Sequence, residues 1–383
     1  MLTSITLQNF KSFGEEQTIP LRPITVLVGP NNSGKSNLVS LGRFVRNVVE
    51  AGEEAALEAE GGDSFLFRRP PVDSGAIRIA WASADGSYLT EFEEFSGELA
   101  QVEEKLEHHQ HGRAWEKDEA QWKLIVPEVV RTGGRFKPEE HWVWNYDVLS
   151  GLKMVLNSSD WIASGFQGLV RSIVSSAEIK LSLGALRQDA EVVPTPRLGV
   201  DGSNLAAVLG LWRGSDPDRA DHLHEFVRRS IPEIKHVFVK PSPQPAYQRL
   251  WFQQTDGQQF DAGHVSDGVL FFTALAMRAI EAEPGSLLFI EEPEQCIHPR
   301  RLGMIVDLFR QIVAERKCQI VVVSHSPALL DEFRDEPEAI VLFRRGENGT
   351  QVKQLAELPT LVEALRDAQP GEMLANGFFD APF

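Results

Sequence analysis

Apolar and polar residues alternate along "LTSITLQNF" at residues 2–10, a pattern that predicts a β-strand, and a second short run at residues 18–21 predicts another. The run "ITVLVG" at 24–29 is apolar until its closing glycine, as in a strand buried on both faces. Directly behind it Leu38, Leu41, Phe44, Val45 and Val48 recur at helical spacing. Strand, glycine loop and helix therefore follow one another. From about residue 232 the signals return: "KHVFVK" and "YQRLWFQQ" as strands, residues 269–280 as a helix, "SLLFIEEPE" as a buried strand, "RRLGMIVDLFRQIVAE" as a helix and "QIVVVSHSP" as a further strand. Such alternation predicts parallel α/β units. No repeat of 20 to 50 residues is visible.

The stretch between these parts has another character. It carries "EAGEEAALEAEGGD", a strand-like "AIRIAWA", and then residues 85–119, where eleven acidic residues face three basic ones. Such a block reads as a solvated helix face or a mobile excursion, with an acidic docking surface as the alternative. "HHQH" at 108–111 has no further ligand at metal-binding spacing and reads as surface histidines. Trp115, Trp122, Trp142, Trp144 and Trp161 cluster without interleaved basic residues, which favours a small satellite core over a base-stacking platform. "WIASGFQGLVRSIVSSAEI" has an amphipathic helical pattern, so the whole stretch is expected to be mainly helical.

Composition narrows the class. With 383 residues, 42% hydrophobic and 24% charged, the chain reads as a soluble globular protein of one large or two ordinary domains. A formal net charge of −17 argues against coating nucleic acid by bulk electrostatics, so any DNA contact is local or supplied by a partner. Cys296 and Cys318 stand far apart, with neither a disulfide framework nor zinc spacing, and a cytoplasmic setting is expected. The first residues lack the basic-then-apolar pattern of a signal peptide, and no run of eighteen apolar residues occurs, so no membrane association is expected.

Four constellations carry chemistry. "GPNNSGKS" at 29–36 fits G-x-x-x-x-G-K-[ST]. Its glycines let backbone N–H groups turn toward a phosphate, Lys35 reaches the β- and γ-phosphates, and the Ser36 hydroxyl can ligate Mg²⁺. "SLLFIEEPEQCIHP" ends a buried strand in Glu291 and Glu292, where one acid can serve magnesium and the other polarise water. "VVVSHSPALLDEF" ends a strand at Ser324 and His325, a γ-phosphate contact or a satisfied core histidine. In "GHVSDGVLFFTALAMRAI", Ser266, Asp267 and Gly268 open a helix, where they could bind an anion or simply cap.

Together these motifs resemble the head of ABC-type ATPases of the SMC and RecF kind, and most nearly the small AAA_21-like ATPases related to the ATPase half of OLD-family proteins. "ITLQNFKSFGEEQTIPLRPITVLVGPNNSGKSNL" looks like that N-terminus, "VSDG" like its signature, "LLFIEEPE…IHP" like its Walker B and D-loop, and "VVVSHSP" like its histidine switch. "DGSNLAAVL" at 201–209 is also similar to a segment of these ATPases. The likeness covers residues 1–50 and 185–345 well. It implies an α/β fold: a P-loop head of two lobes, with a mixed sheet flanked by helices and a mainly helical insert. The expected division is 1–85 with the Walker A loop, 86–185 as acidic insert or lid, and 186–383 with the remaining motifs.

The resemblance also implies roles. ATP would be bound by Gly29, Asn31, Asn32, Ser33, Gly34, Lys35, Ser36 and Asn37, with Lys11 approaching the nucleotide. Ser36 and Glu291 would serve Mg²⁺, Glu292 would be the catalytic base, and His325 and Lys35 would assist at the γ-phosphate. Ser266, Asp267 and Gly268 would act on ATP held by the other subunit of a homodimer. Glu291 departs from the usual aspartate, Val265 from a leucine, and Phe271 from an arginine of many small relatives. A Q-loop glutamine is not placed. Long heptad arms are absent, and the 44 residues after Ala339 are too few for a Toprim nuclease, so an effector is expected on a separate chain. The other reading is a slow or non-hydrolysing nucleotide-dependent scaffold. A transporter motor is disfavoured because "SDGV" replaces a glycine-rich "SGGQ"-like signature.

Overall fold

The computed structural model describes residues 1–62, 75–95, 98–108, 113–118, 121–125, 143–144, 167–194, 196–297, 299 and 302–380. The chain divides into two compact units. The first comprises Met1–Ala177, Gly285–Leu288 and Gln319–Phe383, and the second Glu178–Pro284 and Phe289–Cys318.

The first unit is built on a parallel core. Strand Ile24–Val28 lies between Gln319–Val323 and Ile340–Gly346, with Ile320 opposite Ile24 on one side and Leu342 opposite Val28 on the other. Every residue of Ile24–Val28 and Gln319–Val323 is buried, as a strand covered on both faces requires. Ile340–Gly346 turns back as a hairpin into Gly349–Gln354. Helix Lys35–Ala51 buries the stripe formed by Leu38, Leu41, Phe44, Val45 and Val48, and helix Gln167–Val174 packs against it.

An antiparallel sheet completes this unit. Its described strands run in the order Gln17–Pro20, Leu2–Gln8, Ile77–Ser83, Gly86–Phe95, Glu98–His108, Arg113–Asp118, Gln121–Ile125 and Val143–Trp144. The expectation of a mainly helical insert is therefore corrected: its described residues are largely a β-meander. The physical reason is a period of two. Tyr88, Thr90 and Phe92 are buried while Glu91 and Glu93 between and beyond them are not, so the acids line the outer face of a one-sided sheet. Trp81 stacks on Tyr88 with ring centroids 5.6 Å apart. One acid points inward: Glu104 is buried and accepts a 2.5 Å hydrogen bond from the Tyr88 hydroxyl. Trp142, Trp161 and residues 109–111 of the histidine run lie outside the described residues.

The second unit pairs an antiparallel sheet with helices. Tyr247–Gln254 is flanked by Ile234–Pro241 and by Ala190–Glu191 with Gln259–Asp261. Helices Leu205–Ser215 and Pro217–Ser230 pack on this sheet. Helix Asp267–Glu281 is buried on every side from Val269 to Ile280, which explains a sequence there that is apolar but for Thr273 and Arg278. No described helix is long and apolar enough to cross a membrane.

Gln319 stitches the first unit together. Its buried side-chain amide accepts from the Leu2 N–H at 2.6 Å and donates to the Leu2 carbonyl at 2.8 Å. Gln319→Leu removes both bonds and is expected to cost about 1–3 kcal/mol, measured as a lower urea midpoint at unchanged slope.

Candidate functional site

The phosphate-type loop is shaped by steric exclusion. Gly29 has φ 153°, and a Cβ there would stand 2.0 Å from the Phe343 carbonyl oxygen. Gly34 has φ 106°, and a Cβ would meet the Thr350 hydroxyl oxygen at 2.2 Å and that of Ser12 at 2.7 Å. Both glycines are thus demanded twice, by dihedral and by space. A relay of hydrogen bonds fixes the loop: the Asn37 amide donates to Ser12 Oγ at 2.7 Å, Ser12 and Thr350 hydroxyls meet at 2.7 Å, and Thr350 donates to the Ser33 carbonyl at 2.9 Å.

Lys35 is 4% exposed, and its ammonium donates to the Gly29 carbonyl at 2.8 Å, the Pro30 carbonyl at 2.9 Å and Ser33 Oγ at 3.3 Å. The positive charge therefore sits within the loop, at the N-terminus of helix Lys35–Ala51, where Gly34 provides no side-chain cap. Helix N–H groups and ammonium together suit an oxyanion. Asn31, Asn32 and Ser36 are exposed, while Ser33 is buried beneath them. Asn32 takes the left-handed backbone, φ 64°.

His325 reaches the same edge of the sheet. It lies two residues beyond Val323, whose register partner is Leu27, so it leaves its strand at the level where the neighbouring strand enters Gly29. The side chain is half-buried. Lys11 is tied down instead: its ammonium lies 2.6 Å from Glu60, which Arg43 also binds at 2.8 Å. Burial alone would raise the Glu60 carboxyl, but hydrogen bonds from Arg43 and Lys11 outweigh it and hold the group below the usual carboxylate range.

The second unit carries the other residues. Ser266 is the N-cap of helix Asp267–Glu281, yet its side chain makes no capping hydrogen bond. Asp267 is engaged by Arg187 at 2.5 Å. Ser266 is exposed, and a Cβ added to Gly268 would meet nothing within 4 Å. Simple capping by serine thus does not account for this turn, and among the described residues nothing packs closely enough to require the glycine. Phe271 is 2% exposed and belongs to the core.

Glu291 ends strand Leu287–Glu291, with its Oε2 3.1 Å from the Lys180 ammonium. Glu292 follows in the left-handed region, φ 47° and ψ 53°, and its carboxylate accepts from the Gln295 amide. Among the described residues no group of three or more His, Cys, Asp or Glu could hold a metal by itself. A hard, oxygen-preferring cation such as Mg²⁺ fits this donor set as an ion that brings most of its ligands with it, from nucleotide phosphates and water.

Several residues that shape these elements carry no motif. Ser12 and Thr350 brace the loop, and Thr350 is 317 residues from the carbonyl it binds. Arg278 donates to the Leu198 and Gly199 carbonyls at 2.8 and 2.7 Å, while the Leu198 N–H donates to Glu281 at 3.0 Å. These bonds anchor the turn before helix Leu205–Ser215 to helix Asp267–Glu281. The arginine within an otherwise apolar helix was the available signal.

Comparison with known proteins agrees with this geometry. Residues 1–54 match a family model described as "AAA ATPase domain", and residues 195–331 one described as "AAA domain, putative AbiEii toxin, Type IV TA system". The chromosome partition proteins Smc of Mycolicibacterium paratuberculosis and Mycobacterium tuberculosis are each 34% identical over 102 residues, 25% of this chain. That match spans 8% of the length of those relatives. A crystal structure of an Smc head bound to the C-terminal winged-helix domain of ScpA superposes with TM-score 0.53 at 13% identity, covering 92% of this chain and 97% of that one. Two segments of the chain thus match ATPase-domain families, and its α/β fold of mixed sheets flanked by helices is that of SMC head ATPase domains.

The Lys11–Glu60–Arg43 cluster makes a pH-dependent prediction. A carboxyl whose pKa is lowered on folding stabilises fully above its ordinary value of 4.5, and that contribution fades as pH falls through the lowered folded value. Glu60→Gln is expected to be less stable than wild type at pH 7, with the gap narrowing below pH 4.5 in urea titrations.

Proposed function

We propose that the chain is an ATP-driven switch: two copies clamp around ATP as a homodimer, and slow hydrolysis reopens them to control a DNA-repair or phage-defence effector on a separate chain. The observation that carries this reading is the buried Lys35 ammonium held by three oxygens of its own loop at an uncapped helix N-terminus. It is a preformed cationic socket that a β- or γ-phosphate satisfies better than backbone carbonyls do. The effector and DNA roles come from the family resemblance.

Each side chain has a task in that scheme. Gly29, Gly34 and the residues between them present N–H groups, and Lys35 shifts from loop carbonyls to phosphate oxygens. By the family resemblance Ser36 and Glu291 would each serve Mg²⁺, which when bound neutralises phosphate charge. Glu292 takes the proton of the attacking water, and His325 contacts the γ-phosphate. The exposed Ser266 hydroxyl and the open backbone at Gly268 serve the nucleotide of the other copy. ATP is then part of the dimer interface, and loss of its γ-phosphate removes contacts that only the closed state makes.

Two measurements test the scheme. In light scattering, Glu292→Gln should double its mass with Mg-ATP and not without it, and Lys35→Ala should stay monomeric in both; an unchanged mass for Glu292→Gln would sink the ATP-clamped dimer. Gly268→Ala separates fold from function. It should stabilise the isolated chain by about 0.5 kcal/mol, because alanine is the better helix former and its methyl has room, yet weaken ATP-dependent dimerisation at least several-fold.

A further inference from the structure

Lys180 is absorbed by none of the motifs. It follows strand Ala177–Ile179, the neighbour of Leu287–Glu291 in the sheet order, and its ammonium lies 3.1 Å from Glu291 Oε2. The contact is unequal: the Lys180 side chain is 65% exposed and that of Glu291 only 12%. The backbone beneath the lysine is fixed, since its N–H donates to the Val200 carbonyl at 3.1 Å. Beside the pair opens a cavity of about 590 Å³, bordered by residues 181–184, Glu292 and Gln295. Hydrogen bonding to Glu291 and then its charge push the Lys180 pKa up, so the ammonium stays protonated.

Two adjacent carboxylates, one nearly buried, are held together at a charge cost unless a cation stands by. Lysine supplies one positive charge from a flexible stem, whereas arginine would bind with a rigid fork. A divalent ion on the same carboxylate would supply two charges, and the ammonium beside it would be repelled. The exposed stem and the adjoining cavity give the lysine somewhere to go.

We propose that Lys180 is a displaceable counter-ion of Glu291, holding the acid in the metal-free chain and yielding it to Mg²⁺, so that it sets the metal concentration at which the site fills. This rests on the reading of Glu291 as the magnesium-linked acid.

Mn²⁺ serves as the probe, titrated into the full chain at one fixed ADP concentration and read from the electron paramagnetic resonance signal of free Mn²⁺. Lys180→Met should lower the half-saturating Mn²⁺ about two- to fivefold, the range expected for losing one partly exposed ion pair. The shift should shrink at high salt, and Lys180→Arg, whose fork is harder to displace, should keep the half-saturating Mn²⁺ at or above the wild-type value. Glu291→Gln should raise the half-saturating Mn²⁺. If Glu291→Gln weakens metal binding while Lys180→Met leaves it unchanged or weaker, the counter-ion role is overturned and the metal role of Glu291 stands. If Glu291→Gln changes nothing, the metal assignment itself fails. Thermal unfolding of each variant checks that folding is retained.

Discussion

Two close contacts decide whether the phosphate-type loop exists at all. Gly29 lies against the carbonyl of Phe343 and Gly34 against the hydroxyl of Thr350, both too close for any side chain. Attraction alone would not define the loop so sharply; exclusion does, because only glycine satisfies the dihedrals and the space together. Once the loop is pressed there, the Asn37, Ser12 and Thr350 relay pins the Ser33 carbonyl, and the Gly29 and Pro30 carbonyls with the Ser33 hydroxyl hold the Lys35 ammonium. The hairpin of residues 340–354 is thus as much a part of the socket as the motif.

Much of this was legible in the sequence, because it is written in short-range patterns. The all-apolar strand ending in Gly29 and the helical stripe from Leu38 to Val48 each fix an element within a few residues. The acidic insert was misread because composition spoke louder than period. Eleven acids suggested a solvated helix, yet Tyr88, Thr90 and Phe92 alternate with polar residues, and Asp85-Gly86 is a hairpin signal between two such runs.

What stayed hidden depends on distance along the chain. Nothing local in "NFKSF" announces that Lys11 will meet Glu60, or that Ser12 will bond to Thr350 on the far hairpin. The turn at Ser266–Gly268 shows the opposite difficulty. Serine before an apolar helix is an ordinary cap by sequence, and only the structure reveals that Ser266 makes no capping bond while Gly268 faces open space.

Glu292 occupies a backbone region that a glutamate resists by about 1 kcal/mol, immediately before a proline that narrows its alternatives further. Glycine would rest there with less strain but could accept no proton. With Glu292 in its proposed role as the base, folding stability and turnover pull this one position in opposite directions. A library of this chain selected for heat resistance alone would be expected to drift, at residue 292, toward well-folded proteins that have lost the proposed base.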